Sequence, residues 1–169
     1  MPLNDTELCT YLDSRGIAYQ RFDHPAVFTC EAAAEFVPGA AEGVQTKNLF
    51  LRDKKGRRHW LVVTDCAKPV DLKSLARVIG ADNLSLGSPD RLSRHLGVTP
   101  GAVTLMALVN DPAHQVALVI DREVVGRPWR CHPMVNTATL SLPWASVEAF
   151  IAAVGHQPQV VDVPARAGS

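Results

Sequence analysis

Lys47 and Asn48 have side chains that could bind a polar ligand, and they stand where a buried strand is expected to begin. They occur in "VQTKNLFLRDKKGRRHWLVV", residues 44–63, ahead of an apolar run. A lysine at the start of a strand commonly lays its stem on apolar surface and leaves its ammonium in water. The alternative is that the cation and the amide together hold an anionic or hydroxyl-bearing ligand at the rim of the sheet.

The segment "LGVTPGAVT" predicts a tight loop at the end of a helix. The segment contains Gly97, Pro100 and Gly101, and glycine allows a ligand to approach the backbone closely. An ordinary turn after a helix stop is the alternative interpretation.

The segment "WRCHPMVNTATLSL" offers a third set of polar groups. His132 precedes a proline, which biases its backbone to extended geometry, and Asn136 adds an amide before a predicted strand. Cys131 and His132 are adjacent, and neighbouring residues of a strand point to opposite faces, so a Cys-His nucleophile is not expected. A zinc site from Cys66, Cys131 and His132 lacks a fourth ligand, so we expect neither a metal nor a cofactor.

Four cations, Lys54, Lys55, Arg57 and Arg58, lie in the turn "DKKGR" and the residue after it. A solvated turn is the default interpretation, and phosphate contact is the alternative. The sequence contains no Walker loop, dinucleotide fingerprint or G-x-S-x-G elbow. An enzyme built from these segments would have to work without a conventional acid-base pair.

Composition limits the possible classes of protein. The chain has 169 residues, 47% of them hydrophobic, which suits one soluble globular domain with its own core. Seventeen basic residues balance seventeen acidic ones, so a polyanion must be held by a local patch, and a nonspecific DNA coat is not expected. The amino terminus lacks the features of a secretory signal and no apolar run suits a membrane span, so we expect a cytoplasmic protein whose four cysteines are reduced.

Capping signals and apolar periodicity predict the elements that position these segments. Helices are expected after the caps Asn4, Thr29, Asp71 and Ser88 and over 144–154, with ends at Gly16, near Pro38 and Gly39, and at Gly80, Gly97 and Gly155. Strands are expected at 17–22, 48–52, 58–64, 103–109, 115–121, 137–142 and 159–163. The pattern predicts an α/β (α+β-like) fold, a single domain over residues 1–163 with a mixed, largely antiparallel sheet and helices packed around it. Residues 164–169 are expected to be a flexible tail.

Taken together, "TKNLFLRDKKGRRHWLVV", "DLKSL", "LGVTPGAVTLMALVND" and "CHPMVNTATLSL" resemble the YbaK-type family of aminoacyl-tRNA editing domains. The likeness runs over about residues 4–160, and within the family it is greatest to free-standing alanyl-tRNA(Pro) deacylases, relatives of the editing insertion of bacterial prolyl-tRNA synthetases. The resemblance implies a single α/β domain that hydrolyses the ester of a mischarged tRNA. It implies the acceptor end of tRNA(Pro) as partner, prolyl-tRNA synthetase as a transient one, and neither a membrane nor DNA.

The resemblance also implies roles for individual residues. Lys47 and Gly101 would be catalytic: Lys47 would hold the terminal adenosine and its phosphate with Asn48, and backbone amides near Gly101 would stabilise the oxyanion. Gln45 stands where the family more often has histidine. The expected substrate-binding residues are Val27, Phe28, Thr29, Asn48, Gly97, Pro100, Ala102, Asn110, His132, Pro133 and Asn136, and the expected tRNA-backbone contacts are Lys54, Lys55, Arg57 and Arg58.

Val27 and Phe28 of "HPAVFT" would surround the substrate methyl group. A synthetase site built for proline rejects a smaller amino acid by only about 1–3 kcal/mol per missing methylene, so a second pocket that admits alanine and excludes proline has a purpose. Three alternatives remain open at this stage. They are a deacylase for cysteinyl-, seryl- or threonyl-tRNA, a noncatalytic nucleotide- or tRNA-binding module of the same fold, and a cysteine hydrolase that uses Cys131.

Overall fold

The computed structural model describes residues 2–37 and 43–167, which form an eight-stranded mixed sheet with helices against it. The strands are β1 (Gln20–Asp23), β2 (Val44–Arg52), β3 (His59–Asp65), β4 (Ser85–Leu86), β5 (Val116–Asp121), β6 (Trp129–Cys131), β7 (Ala138–Leu142) and β8 (Gln159–Val161). Their order is β1-β7-β6-β2-β3-β5-β8, with β4 paired to β2. The pairs β1–β7, β2–β3, β2–β4 and β6–β7 are antiparallel, and β2–β6, β3–β5 and β5–β8 are parallel. The predicted mixed α/β fold is confirmed.

The helices begin at the residues that the capping signals indicated. They are α1 (Asp5–Ser14), α2 (Cys30–Ala34), α3 (Leu72–Ile79), α4 (Pro89–Leu96) and α5 (Trp144–Val154). Asn4 and Glu7 form a complete capping box, and the side chains of Thr29, Asp71 and Ser88 accept backbone hydrogen bonds at their helix starts. The predicted end of α2 near Pro38 and Gly39 lies outside the described residues.

The β2–β3 ladder is the rigid centre of the sheet. Its antiparallel register runs from Thr46 opposite Asp65 to Arg52 opposite His59. Because side chains alternate along a strand, Phe50 and Leu61 face the larger core, which packs on α1, α4 and α5. Leu51 and Trp60 face a smaller core on the other side, which packs on α3. Among the described residues both faces of the ladder are therefore covered at its centre, which leaves its ends to meet ligands.

The prediction of a strand over 103–109 is wrong. Leu105–Asn110 forms a 3-10 helix, which begins where Thr104 Oγ1 accepts a hydrogen bond from the amide of Met106 at 3.2 Å. Its first four residues are buried, and an apolar run that is buried all round has the same appearance in sequence whether it is strand or helix. The strands β4 and β6 have two and three residues and were not predicted.

The segment predicted as a flexible tail makes backbone contacts over the part that the structure describes. Ala165 forms an isolated bridge with Val70, and the amide of Arg166 donates to the carbonyl of Pro69 at 2.7 Å. The carbonyl of Pro164 accepts from the amide of Asp71 at 2.9 Å. Residues 164–166 are thereby attached to the loop that precedes α3.

Candidate functional site

Four segments of the chain surround a cavity of about 140 Å³ at one end of the β2–β3 ladder. They are the loop before α2, the first half of β2, the 3-10 turn Pro100–Ala102 and the end of β6. The lining residues are Val27, Phe28, Thr29, Cys30, Gln45, Thr46, Lys47, Asn48, Pro100, Gly101, Val103, Cys131 and His132. The three segments singled out in the sequence for their polar residues thus meet at one place.

Lys47 borders the cavity with a half-buried side chain whose ammonium donates a hydrogen bond to the carbonyl of Lys68. Burial is the main cause that lowers the pKa of Lys47, and the nearby charge of Arg166 lowers it further, against the opposing effect of Glu31 and Asp65. The amine is therefore partly desolvated, and a partly desolvated cation interacts more strongly with an anionic ligand than an exposed one.

A buried ion pair orders the loop that holds Lys47. The ammonium of Lys68 lies 2.6 Å from Asp121 Oδ2 and 3.3 Å from Glu123 Oε2, and it donates to the carbonyl of Val163 at 2.9 Å. Asp121 Oδ2 also accepts from Thr64 Oγ1 at 2.7 Å. Burial alone would raise the pKa of Asp121, but these hydrogen bonds hold it below its ordinary value. Lys68 is thereby fixed, and its carbonyl fixes the amine of Lys47.

Gln45 and Asn48 each present a buried oxygen to this region without a hydrogen-bond partner among the described residues. The atoms are Gln45 Oε1 and Asn48 Oδ1. Leaving a buried acceptor unpaired costs about 1–3 kcal/mol, and the large majority of buried polar atoms in proteins are paired. Two such atoms beside one cavity indicate a place where a ligand supplies the missing donors.

His132 presents one ring nitrogen that can still accept a hydrogen bond. Its Nδ1 lies 3.0 Å from the carbonyl of Ala138, and because a carbonyl only accepts, Nδ1 carries the proton. Burial lowers the pKa of His132, with the neighbouring His24 adding to the effect and the Ala138 hydrogen bond opposing it. The neutral ring therefore keeps Nε2 as an acceptor, for which the described part of the chain provides no donor.

The loop before α2 is attached to the segment after His132. The amide of Val27 donates to the carbonyl of Asn136 at 3.1 Å, and Asn136 Nδ2 donates back to the carbonyl of Val27 at 3.0 Å. Val27 is 5% exposed, which suits a wall around a small apolar group. Phe28 is 83% exposed, so its ring stands at the mouth of the cavity and does not enclose a methyl group. Asn136 positions the loop from behind and does not line the cavity.

Gly101 is exposed on the 3-10 turn. A Cβ atom built on it would lie 3.6 Å from Asn136 Nδ2 and 4.0 Å from the Phe28 ring, which is ordinary contact. The amide of Ala102 is already used, because it donates to the carbonyl of Thr99 at 2.9 Å. Ala102 is also buried and does not line the cavity, so the backbone that meets a ligand here is that of Pro100 and Gly101.

Three further residues predicted to bind substrate do not reach the cavity. Asn110 Nδ2 donates to the carbonyl of Leu96 at 2.9 Å, and Asn110 Oδ1 accepts from the amide of Leu3 at 2.8 Å. Gly97 packs beside Pro2 and Asn110 at the end of α4. Asn110 thus connects the amino-terminal segment to the end of α4. Pro133, the third residue, is buried and does not line the cavity. Thr29 lines the cavity and also caps α2, with Oγ1 3.1 Å from the amide of Ala32.

Cys131 lines the cavity but is poorly suited to be a nucleophile. It is 3% exposed, and burial raises the pKa of its thiol to about 12, against a smaller lowering effect from Thr104. The thiolate is the reactive form of cysteine and is scarcely populated at neutral pH with such a pKa. The geometry therefore gives no support to a cysteine hydrolase.

The four predicted tRNA-backbone cations lie at the opposite end of the β2–β3 ladder and are not equivalent. Lys54 and Lys55 are exposed. The guanidinium of Arg58 stacks 4.6 Å above the Trp60 ring and donates to the carbonyl of Gly80 at 3.1 Å. Arg57 instead lines a separate cavity on the other face of the ladder.

Four residues that line the cavity were not predicted from the sequence to do so: Cys30, Thr46, Val103 and Cys131. Gln45 was noted only as a departure from the family pattern. The alternation of β2 is the signal that places Gln45 on the same face as Lys47.

Within residues 2–37 and 43–167, no group of three or more histidine, cysteine, aspartate or glutamate side chains is arranged to hold a metal ion. No helix in those ranges is long and apolar enough to cross a membrane.

Comparison with known proteins places the chain in a family. The family model described as aminoacyl-tRNA editing domain matches residues 24–150. The chain is 37% identical over 153 residues to the prolyl-tRNA editing protein ProX of Acetoanaerobium sticklandii, covering 90% of this chain and 93% of the relative. It is 39% identical over 160 residues to prolyl-tRNA synthetase associated domain-containing protein 1 of Danio rerio, covering 92% and 85%.

A solved structure shares the fold. It is a crystal structure of a candidate trans-editing enzyme for prolyl tRNA synthetase, with a TM-score of 0.70 and 18% identity over 98% of this chain and all of the other. The family predicted from the sequence is confirmed, and with it the general class of enzyme, an aminoacyl-tRNA deacylase. The chain belongs to the aminoacyl-tRNA editing domain family.

Proposed function

We propose that this protein hydrolyses the ester of alanyl-tRNA(Pro) after the synthetase has released it. The observation that carries the proposal is that four groups line one cavity of about 140 Å³. They are the Lys47 amine, the Asn48 oxygen that has no partner among the described residues, the Gly101 backbone and the acceptor nitrogen of His132. This set can bind and orient an ester, and it contains no nucleophile activated for covalent attack.

Lys47 and Asn48 hold the 3′ terminus of the tRNA. The ammonium pairs with the terminal phosphate, and Asn48 Oδ1 accepts a hydrogen bond from a ribose hydroxyl or the adenine amino group. Both residues lie on β2 within the ladder, so the terminus meets a rigid edge. Rigid positioning of a reactive bond supplies a large part of catalysis when the reaction itself is easy.

Water attacks the ester carbonyl, and the carbonyl oxygen becomes an oxyanion beside the backbone of Gly101. An amide donor at this point stabilises the developing charge. The Nε2 atom of His132 accepts a hydrogen bond from the attacking water or from the vicinal ribose hydroxyl. When the tetrahedral intermediate collapses, the bond to the ribose oxygen breaks, that oxygen takes up a proton, and alanine leaves as the free amino acid.

The small size of the cavity favours alanine. The cavity of about 140 Å³ is lined on one side by the buried Val27 and on another by Pro100 and Gly101, and in this proposal it accepts a methyl group and excludes a pyrrolidine ring. An editing site must exclude proline and admit alanine, because the synthetase cannot strongly reject an amino acid smaller than proline. The proline-specific tRNA and a transient association with prolyl-tRNA synthetase are part of the same proposal.

Seryl-tRNA is a second candidate substrate because of Gln45. Its Oε1 is buried beside the cavity without a partner among the described residues, so it can accept a hydrogen bond from a side-chain hydroxyl. A site that pairs a substrate hydroxyl can discriminate strongly against the analogue that lacks it. Hydrolysis of seryl-tRNA should therefore depend on Gln45, and hydrolysis of alanyl-tRNA should not.

The decisive experiment is a single-turnover deacylation assay with alanyl-, seryl-, cysteinyl-, threonyl- and prolyl-tRNA(Pro). We expect the wild type to hydrolyse alanyl-tRNA(Pro) fastest and to spare prolyl-tRNA(Pro), and Lys47→Ala to be strongly impaired. Faster hydrolysis of seryl-tRNA, abolished by Gln45→Leu, would identify the second candidate as the substrate. Hydrolysis of none of these esters by the purified protein would refute the proposal.

A further inference from the structure

A second cavity, of about 620 Å³, lies at the hairpin end of the β2–β3 ladder, away from the editing site. The side chains that line it are Arg57, His59, Arg91, Arg94, His95 and Gln115. None of its lining residues is acidic. None of the three guanidiniums makes a salt bridge within the part of the chain that the structure describes. Three neighbouring cations in a lining that has no acidic residue repel one another, although Asp53 and Asp111 act on the cavity from outside its lining, and a bound anion relieves that repulsion.

The cavity is built from one face of α4 and the hairpin turn. Arg91, Arg94 and His95 follow the i, i+3, i+4 spacing and so share a helix face. The Nη1 atom of Arg91 donates to the carbonyl of Gly56 at 2.9 Å and to His59 Nε2 at 3.1 Å. Gly56 has φ +67°, a conformation that favours glycine, and a Cβ atom there would lie 2.5 Å from Arg91 Nη2, so a side chain would force the guanidinium to shift. The two hydrogen bonds position Arg91.

His59 forms the floor of the cavity. It is buried, stacks on Phe50 with ring centres 5.5 Å apart, and lies 4.3 Å from the His95 ring. Because an arginine only donates, His59 Nε2 accepts and the ring is neutral. Burial, followed by the charges of His95 and Arg91, lowers the pKa of His59 to about 4. The carboxylate of Asp53 accepts from the amides of Arg57 and Arg58 and is not part of the cavity.

The distance between the two cavities suits one nucleic-acid strand. Lys47 pairs with Thr64 and Arg52 pairs with His59, five positions along the same ladder. At about 3.3 Å per residue the separation is about 16 Å, which corresponds to about five stacked nucleotides at about 3.4 Å each. His59 lies on the same face of the ladder as Asn48, while Lys47 borders the first cavity from the other face. A strand whose terminal adenosine is bound at Lys47 therefore extends past the CCA end when it reaches the second cavity.

We propose that the cavity formed by Arg57, Arg91 and Arg94 around His59 binds a backbone phosphate of the tRNA acceptor stem. The inference rests on the proposed function. It adds a second tRNA-binding site, which recognises the charge of the phosphate and not the nucleotide sequence. Guanidinium groups form paired hydrogen bonds with phosphate oxygens, and a rigidly held arginine loses little entropy on binding them. Because the chain as a whole has no net charge, such a local site supplies the electrostatic attraction that the whole protein lacks.

The test compares two double variants that remove the same charge. Arg57→Gln with Arg94→Gln alters the proposed site at two exposed cations, and leaves the structural Arg91 in place. Lys73→Gln with Arg77→Gln is the matched control, since both residues are exposed on α3, across the sheet. The measurements are the Kd of uncharged tRNA(Pro) at several salt concentrations, and kcat/KM for alanyl-tRNA(Pro) and for the alanyl ester of a CCA trinucleotide.

We expect the first double variant to weaken tRNA binding about tenfold and to reduce the salt slope by about one, because the contact with one phosphate is lost. Its loss of kcat/KM should be several times larger on alanyl-tRNA(Pro) than on the trinucleotide ester, which does not reach the cavity. Equal weakening by the control, or equal losses on both substrates, would overturn the inference. Binding of inorganic phosphate that is lost in the variant while tRNA affinity stays intact would also overturn it, by identifying a free-phosphate site.

Binding of uncharged tRNA separates this inference from the proposed activity. A wild type that deacylates no substrate and still shows salt-dependent binding that the variant weakens would refute the activity and support the phosphate site. Normal deacylation together with wild-type binding by the variant would refute the phosphate site alone.

Discussion

The two ends of the β2–β3 ladder carry different kinds of polar surface. At the Lys47 end a cavity of about 140 Å³ contains one ammonium and two buried oxygens that lack partners among the described residues. At the hairpin end a cavity of about 620 Å³ contains three guanidiniums without acidic neighbours in its lining. The first end has few groups in fixed positions, which suits the recognition of one small chemical group. The second has charge spread over a wide opening, which suits a backbone that is the same in every nucleic acid.

In our proposals both ends of the shared ladder act on one ligand. Seven residue pairs hold the two strands in register, so the separation of the two cavities does not vary. Substitutions at the first end should change the rate of ester hydrolysis, and substitutions at the second should change affinity and its dependence on salt. The following predictions test this division.

The largest effect is expected for Lys47→Ala. Loss of the anchoring cation should lower kcat/KM for alanyl-tRNA(Pro) by about 10²–10³-fold, in the range seen when one charge-stabilising group is removed from an active site. The thermal midpoint should change little, because Lys47 is half-buried and pairs with a single carbonyl. A loss of less than about fivefold, with the fold intact by circular dichroism, would show that Lys47 is not the anchor.

Gly101→Ala should lower kcat/KM by about tenfold to a hundredfold, since a methyl group in front of the backbone displaces the ester. The fold should be unaffected, because the nearest atoms to the new Cβ lie at 3.6 Å and 4.0 Å. Parallel measurement of deacylation and of urea unfolding distinguishes the two effects. Full activity in this variant would remove the Gly101 backbone from the mechanism.

The hairpin end should make stability depend on pH. The pKa of His59 is about 4 in the folded protein and about 6.5 in an unfolded chain, so the unfolded state binds a proton more readily between these values. This stabilisation of the folded state is fully present above about pH 6.5 and is lost as the pH falls towards 4, by at most about 3 kcal/mol. Urea unfolding between pH 6.5 and 4 should show that the free energy of unfolding falls less steeply with decreasing pH for His59→Gln than for the wild type. Identical slopes would contradict the assignment of a buried neutral His59.

Asn48→Ala should reduce activity about tenfold and leave the protein as stable as before, within about 1 kcal/mol. Most substitutions of a buried polar side chain destabilise a protein, but this one removes an oxygen that has no partner among the described residues. Deacylation rates and unfolding free energies of the same preparation provide the test. A large loss of stability would show that Asn48 serves the fold and not the ligand.

The smallest effect is expected for Cys131→Ala. The thiol is buried with a pKa of about 12, so it neither attacks the ester nor reacts readily with iodoacetamide, and activity should fall by less than about threefold. Rapid inactivation by alkylation at neutral pH, prevented in Cys131→Ala, would instead identify a cysteine hydrolase.

Local signals in the sequence were sufficient for most of the fold. The caps Asn4, Thr29, Asp71 and Ser88 act through hydrogen bonds within a few residues, so they can be recognised without knowledge of the tertiary structure. The apolar run after Thr104 lacks such a signal, and its conformation depends on the tertiary packing that buries it. Very short strands such as β6 likewise depend on neighbours that are distant in sequence.

The candidate site was predicted in part for a similar reason. Motif reasoning found Lys47, Gly101 and His132, which the structure brings to one cavity. It also selected Asn110, whose amide holds Leu3 and Leu96 together, because a polar residue in a matching segment has the same appearance whether it serves a ligand or the fold. The grouping of Arg57 with Arg91 and Arg94 depends on the packing of α4 against the hairpin, which no single segment reveals.

The carbonyl of Lys68 has a consequence for turnover. It gives the Lys47 ammonium a partner within the protein. If Lys47 binds the terminal phosphate as proposed, the free energy gained is the difference between the ammonium paired with the phosphate and the ammonium paired with this carbonyl. The same alternative partner is available when the reaction is over, which makes departure of the emptied tRNA easier. An enzyme that must release each processed molecule to the translation machinery benefits from a cation that does not hold its ligand too long.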